Sequence, residues 1–219
     1  MTATLKIDFV SDVACPWCAV GLSSLEKALR ELEGEVQATL HFQPFELNPQ
    51  MGPEGQDVVE HLSQKYGSTA DQQAANYQAL RQRGADVGFD FSPEGRKRVW
   101  NTFDAHRLLH WAGEQDPARQ LALKKALLGA YFTHGRSFAD HATLLDAVRA
   151  AGLDVERAGA ILASDEYAAA VRAQEQAYAQ AGIRAVPSVI VNDRHLIQGG
   201  QPPDVFAQAL RQIATEATA

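Results

Sequence analysis

Strand-type patterns are confined to the two ends of this chain of 219 residues, which limits the folds open to it. Apolar and polar residues alternate over residues 5–10, and this alternation predicts a β-strand. Leucines at helical spacing follow as far as Leu32, and Gly34 ends that run. Alternation returns over residues 36–43 and stops at Pro44. This order predicts a β-α-β unit with parallel strands and a right-handed crossover.

Helix signals replace strand signals between about residues 48 and 182, where we predict five to seven helices. Asp116 and Pro117 are typical of an N-cap followed by proline at the first helical position, and Ser92 with Pro93 suggests a second such start. Within this segment, helices are expected to end at Gly135, Gly152 and Gly182.

The strand patterns resume in the last 37 residues, where the order is β-β-α. Short strands are predicted over residues 188–191 and 195–198, separated by a turn, and Pro203 opens a last helix. Each end alone is too small to bury a sheet, so we expect a single α/β sheet built from both ends. The sequence thus predicts a discontinuous domain of residues 1–49 and 183–219, with residues 50–182 inserted as a helical domain.

The composition excludes several classes of function. The net charge is −7 and no basic cluster is present, which disfavours nucleic-acid and anionic-membrane partners. No apolar run is long enough to span a membrane, and charges interrupt the amino-terminal segment, so it lacks the apolar core of a signal peptide. A cytoplasmic protein is the resulting prediction.

Both cysteines of the chain lie in one motif, Cys15-Pro16-Trp17-Cys18, where the first strand gives way to the first helix. Residues at i and i+3 share a helix face, at a separation that suits a disulfide. Unpaired N–H groups and the helix dipole stabilise a thiolate at a helix start. We therefore expect Cys15 to be an exposed nucleophile and Cys18 the resolving thiol, with Trp17 as an apolar wall for a substrate.

Two other interpretations of the cysteine pair remain open. The pair could supply half of a zinc site completed by His106 and His110, although the halves are far apart in sequence. The thiols could also be structurally inert. We predict no metal.

The motif and its surroundings resemble the DsbA-like thioredoxin-fold family, and within it the cytoplasmic FrnE-type oxidoreductases. These are related to 2-hydroxychromene-2-carboxylate isomerase and kappa-class glutathione transferases. The similarity is carried by SDVACPWCAVG, FQPFELNP, NTFDAHRLLHWA, AGIRAVPSVIVN and LIQGGQPPDVFAQAL, which span the chain. The resemblance implies a thioredoxin fold, β-α-β…β-β-α, with a large helical insertion.

The resemblance also implies that Val186-Pro187 is a cis peptide bond beside the cysteines. In the family this Val186 backbone pairs with an extended substrate, and Pro187 shields the disulfide. The isomerase and kappa-class relatives carry serine at the position of Cys15, so the cysteine here favours dithiol–disulfide exchange. Ser188 and residues 199–201 fall where such relatives approach glutathione, but an ordinary strand start and turn explain them better.

The sequence therefore predicts a thiol–disulfide oxidoreductase or disulfide isomerase acting on a disulfide-containing protein or a small thiol. No cofactor is predicted, with glutathione left open as a reductant or ligand and a homodimer left open as the assembly. The alternative is a glutathione-dependent transferase or isomerase of small aromatic substrates, with Trp17, Trp100 and Trp111 lining a groove. Asn101 and His106 lie in a segment that either faces the site or only packs and caps a helix.

Overall fold

The computed structural model describes residues 2–218, and both ends of that range contribute to one sheet. The strands are β1 (Ala3–Ser11), β2 (Val36–Pro44), β3 (Gln56–Asp57), β4 (Arg98–Val99), β5 (Ser188–Val191) and β6 (His195–Gln198). The helices are α1 (Pro16–Glu31), α2 (Val58–Tyr66), α3 (Ala70–Val87), α4 (Phe103–Gln115), α5 (Pro117–Leu128), α6 (His141–Ala150), α7 (Val155–Leu162), α8 (Ala168–Gln180) and α9 (Pro203–Thr218).

The main sheet has the strand order β2-β1-β5-β6. Strand β1 pairs parallel with β2, from Ala3 opposite Val36 to Ser11 opposite Pro44. Strand β5 pairs antiparallel with both β1 and β6. The β-α-β start, the β-β-α end and their union in one sheet are therefore confirmed.

Helices from both ends of the chain and from its middle segment pack against the sheet. Helix α9 packs against α1 and contacts β1, whereas α4, α5 and α8 contact β2. The buried faces of β1 and α1 meet in one core that also includes Cys15 and Cys18. In consequence the cysteine motif lies between the sheet and the helical segment.

The long middle segment is almost entirely helical, as predicted. Seven α-helices, α2 to α8, lie within its described residues, and a single π-helical turn (Gly129–Thr133) extends α5. Asp116 caps α5 by accepting a hydrogen bond from the Ala118 N–H at 2.8 Å, as expected. No helix among residues 2–218 is both long and apolar enough to cross a membrane.

One local expectation in this segment was wrong. No helix starts at Pro93, because the Ser92 backbone N–H donates to the Phe132 carbonyl and the chain turns there; the next helix starts at Phe103. The two-residue strands β3 and β4 pair with each other outside the main sheet. The predicted domain boundaries remain predictions.

Candidate active site

The cysteine motif occupies the turn from β1 into α1. Cys15 is the N-cap residue of α1, with extended backbone angles, and Pro16 takes the first helical position, where no N–H is needed. The Cys18 N–H donates to the Cys15 carbonyl at 3.1 Å, which closes the first turn. The predicted placement of the two thiols on one helical turn is therefore confirmed.

Both cysteines are free thiols, and both are buried. Cys15 is 4% exposed and Cys18 is fully buried, so the expectation of an exposed Cys15 was wrong. The loop before β5 covers it: the Cys15 Sγ donates to the Val186 carbonyl at 3.7 Å. Trp17 is 44% exposed beside it, and thus forms the outer surface of the motif.

The covering loop contains the cis peptide bond that the family resemblance implied, between Val186 and Pro187. Pro187 is buried against α1, where Gly21 permits a close approach. A Cβ built on Gly21 would lie 3.1 Å from the Pro187 Cγ and 3.1 Å from the Gly200 Cα. A side chain at Gly21 would therefore push the loop away from the thiols.

The two thiols differ in acidity. A hydrogen bond from Cys18 lowers the pKa of Cys15, and the positive charge of Arg96 acts in the same direction, although burial and the Asp12 carboxylate oppose both. Burial raises the pKa of Cys18 well above its ordinary value, and the neighbouring Cys15 adds to that effect. A thiolate is consequently easier to form on Cys15 than on Cys18.

Asp12 organises the loop that leads into the motif. Its carboxylate accepts hydrogen bonds from the N–H groups of Ala14 (3.1 Å) and Leu47 (2.8 Å). The His106 Nε2 of α4 lies 3.4 Å from the Asp12 Oδ1 without the alignment of a hydrogen bond. Burial raises the pKa of Asp12, but His106 and these two N–H groups outweigh it and hold the pKa below its ordinary value. Sequence reasoning missed Asp12, whose only signal is a carboxylate within an apolar run.

Arg96 connects the helical segment to the same loop. Its Nη1 donates to the Ala14 carbonyl at 2.9 Å, one residue before Cys15. Its guanidinium stacks over the rings of Tyr131 and Phe132, at 5.7 and 5.5 Å from their centroids. This packing fixes a positive charge beside Cys15. No pattern in the sequence indicates the contact, because it joins residues 82 positions apart.

Comparison with known proteins agrees with this geometry. Residues 6–211 match the family profile described as the DSBA-like thioredoxin domain. The chain belongs to the DsbA-like thioredoxin family. The members of this oxidoreductase family act on thiols or disulfides.

Relatives of this DsbA-like chain cover nearly its whole length. It is 28% identical to the uncharacterized protein YwbO of Bacillus subtilis over 209 residues, which are 94% of this chain and 96% of YwbO. The structure of the probable DsbA oxidoreductase SCO1869 from Streptomyces coelicolor has a TM-score of 0.85 and 37% identity, covering 95% of this chain and 89% of that one. The cytosolic disulfide reductase DsbM from Pseudomonas aeruginosa, solved with GSH, shares the fold at a TM-score of 0.64 and 18% identity, covering 94% and 98%.

A cavity of about 600 Å³ opens beside the Asp12 loop of this DsbA-like chain. It is lined by residues 47–52 and 54–56, and by His61 and Lys65 of α2. The Lys65 Nζ donates to the Leu47 carbonyl and to the Asn48 Oδ1, at 2.8 and 2.7 Å. Since the Leu47 N–H also donates to Asp12, the cavity wall and the cysteine loop form one hydrogen-bonded unit.

The structure does not bring the proposed zinc ligands together. His106 faces Asp12, whereas the His110 Nδ1 lies 3.1 Å from the Gln174 Oε1. Within residues 2–218, no group of three or more His, Cys, Asp and Glu side chains is arranged to hold a metal ion.

The other predicted residues mostly have structural contacts. Asn101 caps the start of α4 through the Phe103 N–H. The Ser188 hydroxyl donates to the Ala185 carbonyl, and the Gln201 carbonyl accepts from Ser24. Trp111 is buried in the core, so its expected place in a groove was wrong.

Proposed function

We propose that this DsbA-like chain catalyses thiol–disulfide exchange through Cys15 and Cys18. The Cys15 thiolate attacks one sulfur of a substrate disulfide, and the other sulfur leaves as a thiolate. Cys18 then loses its proton and attacks the Cys15 sulfur, which closes the Cys15–Cys18 disulfide and releases the second substrate thiol. The substrate gains two electrons and the enzyme loses them; the reverse sequence oxidises a dithiol substrate.

The observation that carries this proposal is the unequal pair of thiols on one helical turn. Only the thiolate is a nucleophile, and the surroundings favour it on Cys15 and oppose it on Cys18. SCO1869, at 37% identity, is described as a probable DsbA oxidoreductase, which supports the same activity here.

The Val186 carbonyl supplies a binding element for the substrate in this proposal. It accepts a hydrogen bond from the Cys15 thiol in the reduced protein. Once Cys15 is joined to a substrate sulfur it has no proton to donate, which leaves the carbonyl free for a backbone N–H of an extended peptide. Trp17, 44% exposed, offers apolar surface next to that peptide. We therefore favour disulfide-containing proteins as substrates, with small disulfides also accepted.

We infer that the protein works as a cytoplasmic reductase or isomerase of the FrnE type. Trp17 is uncharged and adds no full positive charge to the motif, so the disulfide is expected to be a milder oxidant than one with a charged residue there. The direction of electron transfer by such a dithiol depends on the reduction potential of its compartment.

An insulin-reduction assay tests the activity. The wild type should accelerate precipitation of the insulin chains in the presence of a thiol reductant, and Cys15→Ser should abolish the effect. Cys18→Ser should instead accumulate a stable mixed disulfide with the substrate, visible by mass spectrometry. Equal activity of the wild type and Cys15→Ser would refute the proposal.

The cavity beside the Asp12 loop favours a second candidate, a glutathione-dependent transferase or isomerase of small aromatic substrates. Lys65 lines it beside Glu54, and the Lys65 ammonium suits a carboxylate of glutathione. In this function the glutathione thiol is the only nucleophile, so Cys18 is not needed. Glutathione conjugation that survives Cys18→Ser, together with no insulin reduction by the wild type, would select it.

A further inference from the structure

The Arg96 side chain presents hydrogen-bond donors beside Cys15 that the protein itself does not use. Its Nη1 donates to the Ala14 carbonyl at 2.9 Å, and this is the only hydrogen bond that the side chain makes with residues 2–218. A guanidinium carries five N–H donors, so most of them are left without a protein partner. No Arg96 nitrogen is among the sealed polar atoms that lack a partner in the described chain, so the free donors reach solvent.

Other partly or fully buried arginines of the chain have their donors filled. Arg98 donates through Nε and Nη2 to the Glu54 carbonyl, at 3.2 and 2.8 Å, and through Nη2 to the next carbonyl at 3.0 Å. Arg107 pairs with Asp104 at 2.8 Å. Arg96 differs from both, because no carboxylate of residues 2–218 lies within ion-pair distance of it. An open guanidinium fork next to a nucleophile is suited to an acidic group from outside the chain.

The Arg96 guanidinium is held in place before any substrate arrives. It stacks over the rings of Tyr131 and Phe132, 5.7 and 5.5 Å from their centroids. The segment that carries it is fixed on both sides: the Tyr131 hydroxyl donates to the Arg98 carbonyl at 2.7 Å, and the Ser92 N–H donates to the Phe132 carbonyl at 2.9 Å. A donor positioned in this way loses little conformational entropy when a ligand binds.

The open donors lie within reach of a substrate that reacts at Cys15. The Ala14 carbonyl belongs to the peptide bond that Cys15 completes, so covalent geometry places the Arg96 Nη1 about 8 Å or less from the Cys15 Sγ. A carboxylate two or three bonds from a disulfide sulfur spans much of this separation, and a charge-assisted hydrogen bond of about 2.7–2.9 Å covers the rest. The effect of the Arg96 charge on the pKa of Cys15 agrees with this proximity.

We propose that Arg96 binds a carboxylate adjacent to the substrate disulfide and makes the protein selective for acidic disulfides. This inference rests on the proposed dithiol mechanism and names the substrate class of its first step. Because the chain carries a net charge of −7, a preference for acidic substrates has to come from a local group such as this one.

The carboxylate is a handle and does not react. The Cys15 thiolate bonds to the substrate sulfur nearer the carboxylate, the substrate sulfur–sulfur bond breaks, and the other sulfur leaves with the electron pair and takes a proton from solvent. The carboxylate remains on Arg96 in the mixed disulfide. It can belong to a small disulfide or to an acidic residue next to a cysteine of a protein.

Small disulfides of different charge test the proposal: dithiodipropionate is anionic, hydroxyethyl disulfide neutral and cystamine cationic. In a Cys18→Ser background the reaction stops at the mixed disulfide, whose formation is timed by acid quenching and mass spectrometry. Each rate is divided by the rate of dithiothreitol with the same disulfide, which removes differences in intrinsic reactivity. In Arg96→Met the anionic-to-neutral ratio should fall about tenfold and the cationic-to-neutral ratio should rise. A change in the thiolate fraction of Cys15 affects all probes alike and cancels in these ratios.

Two further variants separate the guanidinium fork from its charge and from its surroundings. Arg96→Lys keeps the charge without the planar fork, so the anionic-to-neutral ratio should fall about threefold; this variant also carries the test if Arg96→Met does not fold. Lys97→Met removes the exposed neighbour that pairs with Glu94 and should leave the ratio within about twofold.

Peptide disulfides with glutamate or glutamine next to the cysteine distinguish the two sources of the carboxylate. A preference for the glutamate peptide that Arg96→Met removes would assign the site to protein substrates, whereas a preference confined to dithiodipropionate would assign it to small acids. Ratios that stay unchanged in every folded Arg96 variant would overturn the carboxylate site, even if all rates fell together. No mixed disulfide with any probe in the Cys18→Ser background would refute the dithiol function itself.

Discussion

At the scale of single residues, the acidity of Cys15 depends on groups from distant parts of the chain. Its partner Cys18 lies three positions away, but Arg96 comes from the segment between α3 and α4 and reaches the loop through the Ala14 carbonyl. Since opposite charges within a few ångströms favour the thiolate, the helical segment takes part in the chemistry of the motif. The helical segment thus affects the reactivity of Cys15 as well as packing against the sheet.

Arg96→Met should make Cys15 less reactive. Removal of the guanidinium takes away a charge that lowers the pKa of Cys15, so the thiolate fraction at neutral pH should fall and alkylation by iodoacetamide should slow roughly threefold to tenfold. Lys97→Met is the control, because Lys97 is an exposed neighbour paired only with Glu94. Unchanged alkylation rates across the pH range would show that Arg96 acts on the fold alone.

Asp12→Asn should weaken the fold in a pH-dependent way. The pKa of Asp12 is lowered in the folded protein, so its contribution is present above the ordinary carboxylate value and is lost as the pH falls through the folded value. Urea unfolding at neutral pH should show a loss of roughly 1–3 kcal/mol, because an asparagine amide cannot accept from both the Ala14 and Leu47 N–H groups.

The loss caused by Asp12→Asn should shrink when unfolding is measured well below about pH 4. Asp86→Asn, at an exposed site on α3, should show no comparable loss at either pH. A deficit in Asp12→Asn that does not change with pH would contradict the assigned charge of this carboxylate.

At the scale of elements, Gln120 joins α5 to the edge of the sheet. Its Oε1 accepts from the Phe42 N–H at 2.9 Å, and its Nε2 donates to the Phe42 carbonyl at 3.1 Å and the Leu109 carbonyl at 3.0 Å. The amide therefore occupies the place of a neighbouring strand at β2, which would otherwise present unpaired edge groups.

Gln120→Ala should destabilise the protein by roughly 2–4 kcal/mol, because it leaves buried backbone groups of Phe42 and Leu109 without partners. Gln115→Ala, at the exposed end of α4, should change the free energy of unfolding by less than about 0.5 kcal/mol. Urea denaturation of both variants provides the comparison. Equal stability of the two would mean that the helical segment docks on the sheet without this amide.

The elements that sequence reasoning predicted well are those with local signals. Residues 188–191 and 195–198 form strands as expected, since the β-branched run of the first strand ends at the turn Asn192-Asp193, where both residues have positive φ. The start at Pro93 failed because a proline after a serine also suits a turn, and a long-range bond from Ser92 decided between them. The site shows the same division, because CPWC is local whereas Arg96 reaches the cysteine loop only through tertiary packing.

At the scale of the whole molecule, the folded state and the redox state of the cysteines are linked. In the reduced protein the fold favours ionisation of Cys15, whereas the disulfide form has no thiol to ionise at this position. Any interaction that favours the thiolate therefore stabilises the reduced fold and makes the disulfide more oxidising by the same free energy. The hydrogen bond from Cys18 and the charge of Arg96 are two such interactions.

The stability of the reduced protein relative to the oxidised protein should consequently depend on pH. Because the pKa of Cys15 is lowered by folding, its contribution is present above the ordinary thiol value and is lost as the pH falls through the folded value. Urea unfolding should show that the stability of the reduced form decreases relative to that of the oxidised form as the pH falls from the ordinary thiol value through the folded value of Cys15. Carboxylates and histidines away from the motif cancel in this difference, whereas Asp12, whose charge acts on Cys15, does not cancel fully. Cys15→Ser, which lacks the thiolate and cannot form the disulfide, should respond to pH as the oxidised wild type does. A difference between the two forms that stays constant with pH would mean that folding does not shift the pKa of Cys15.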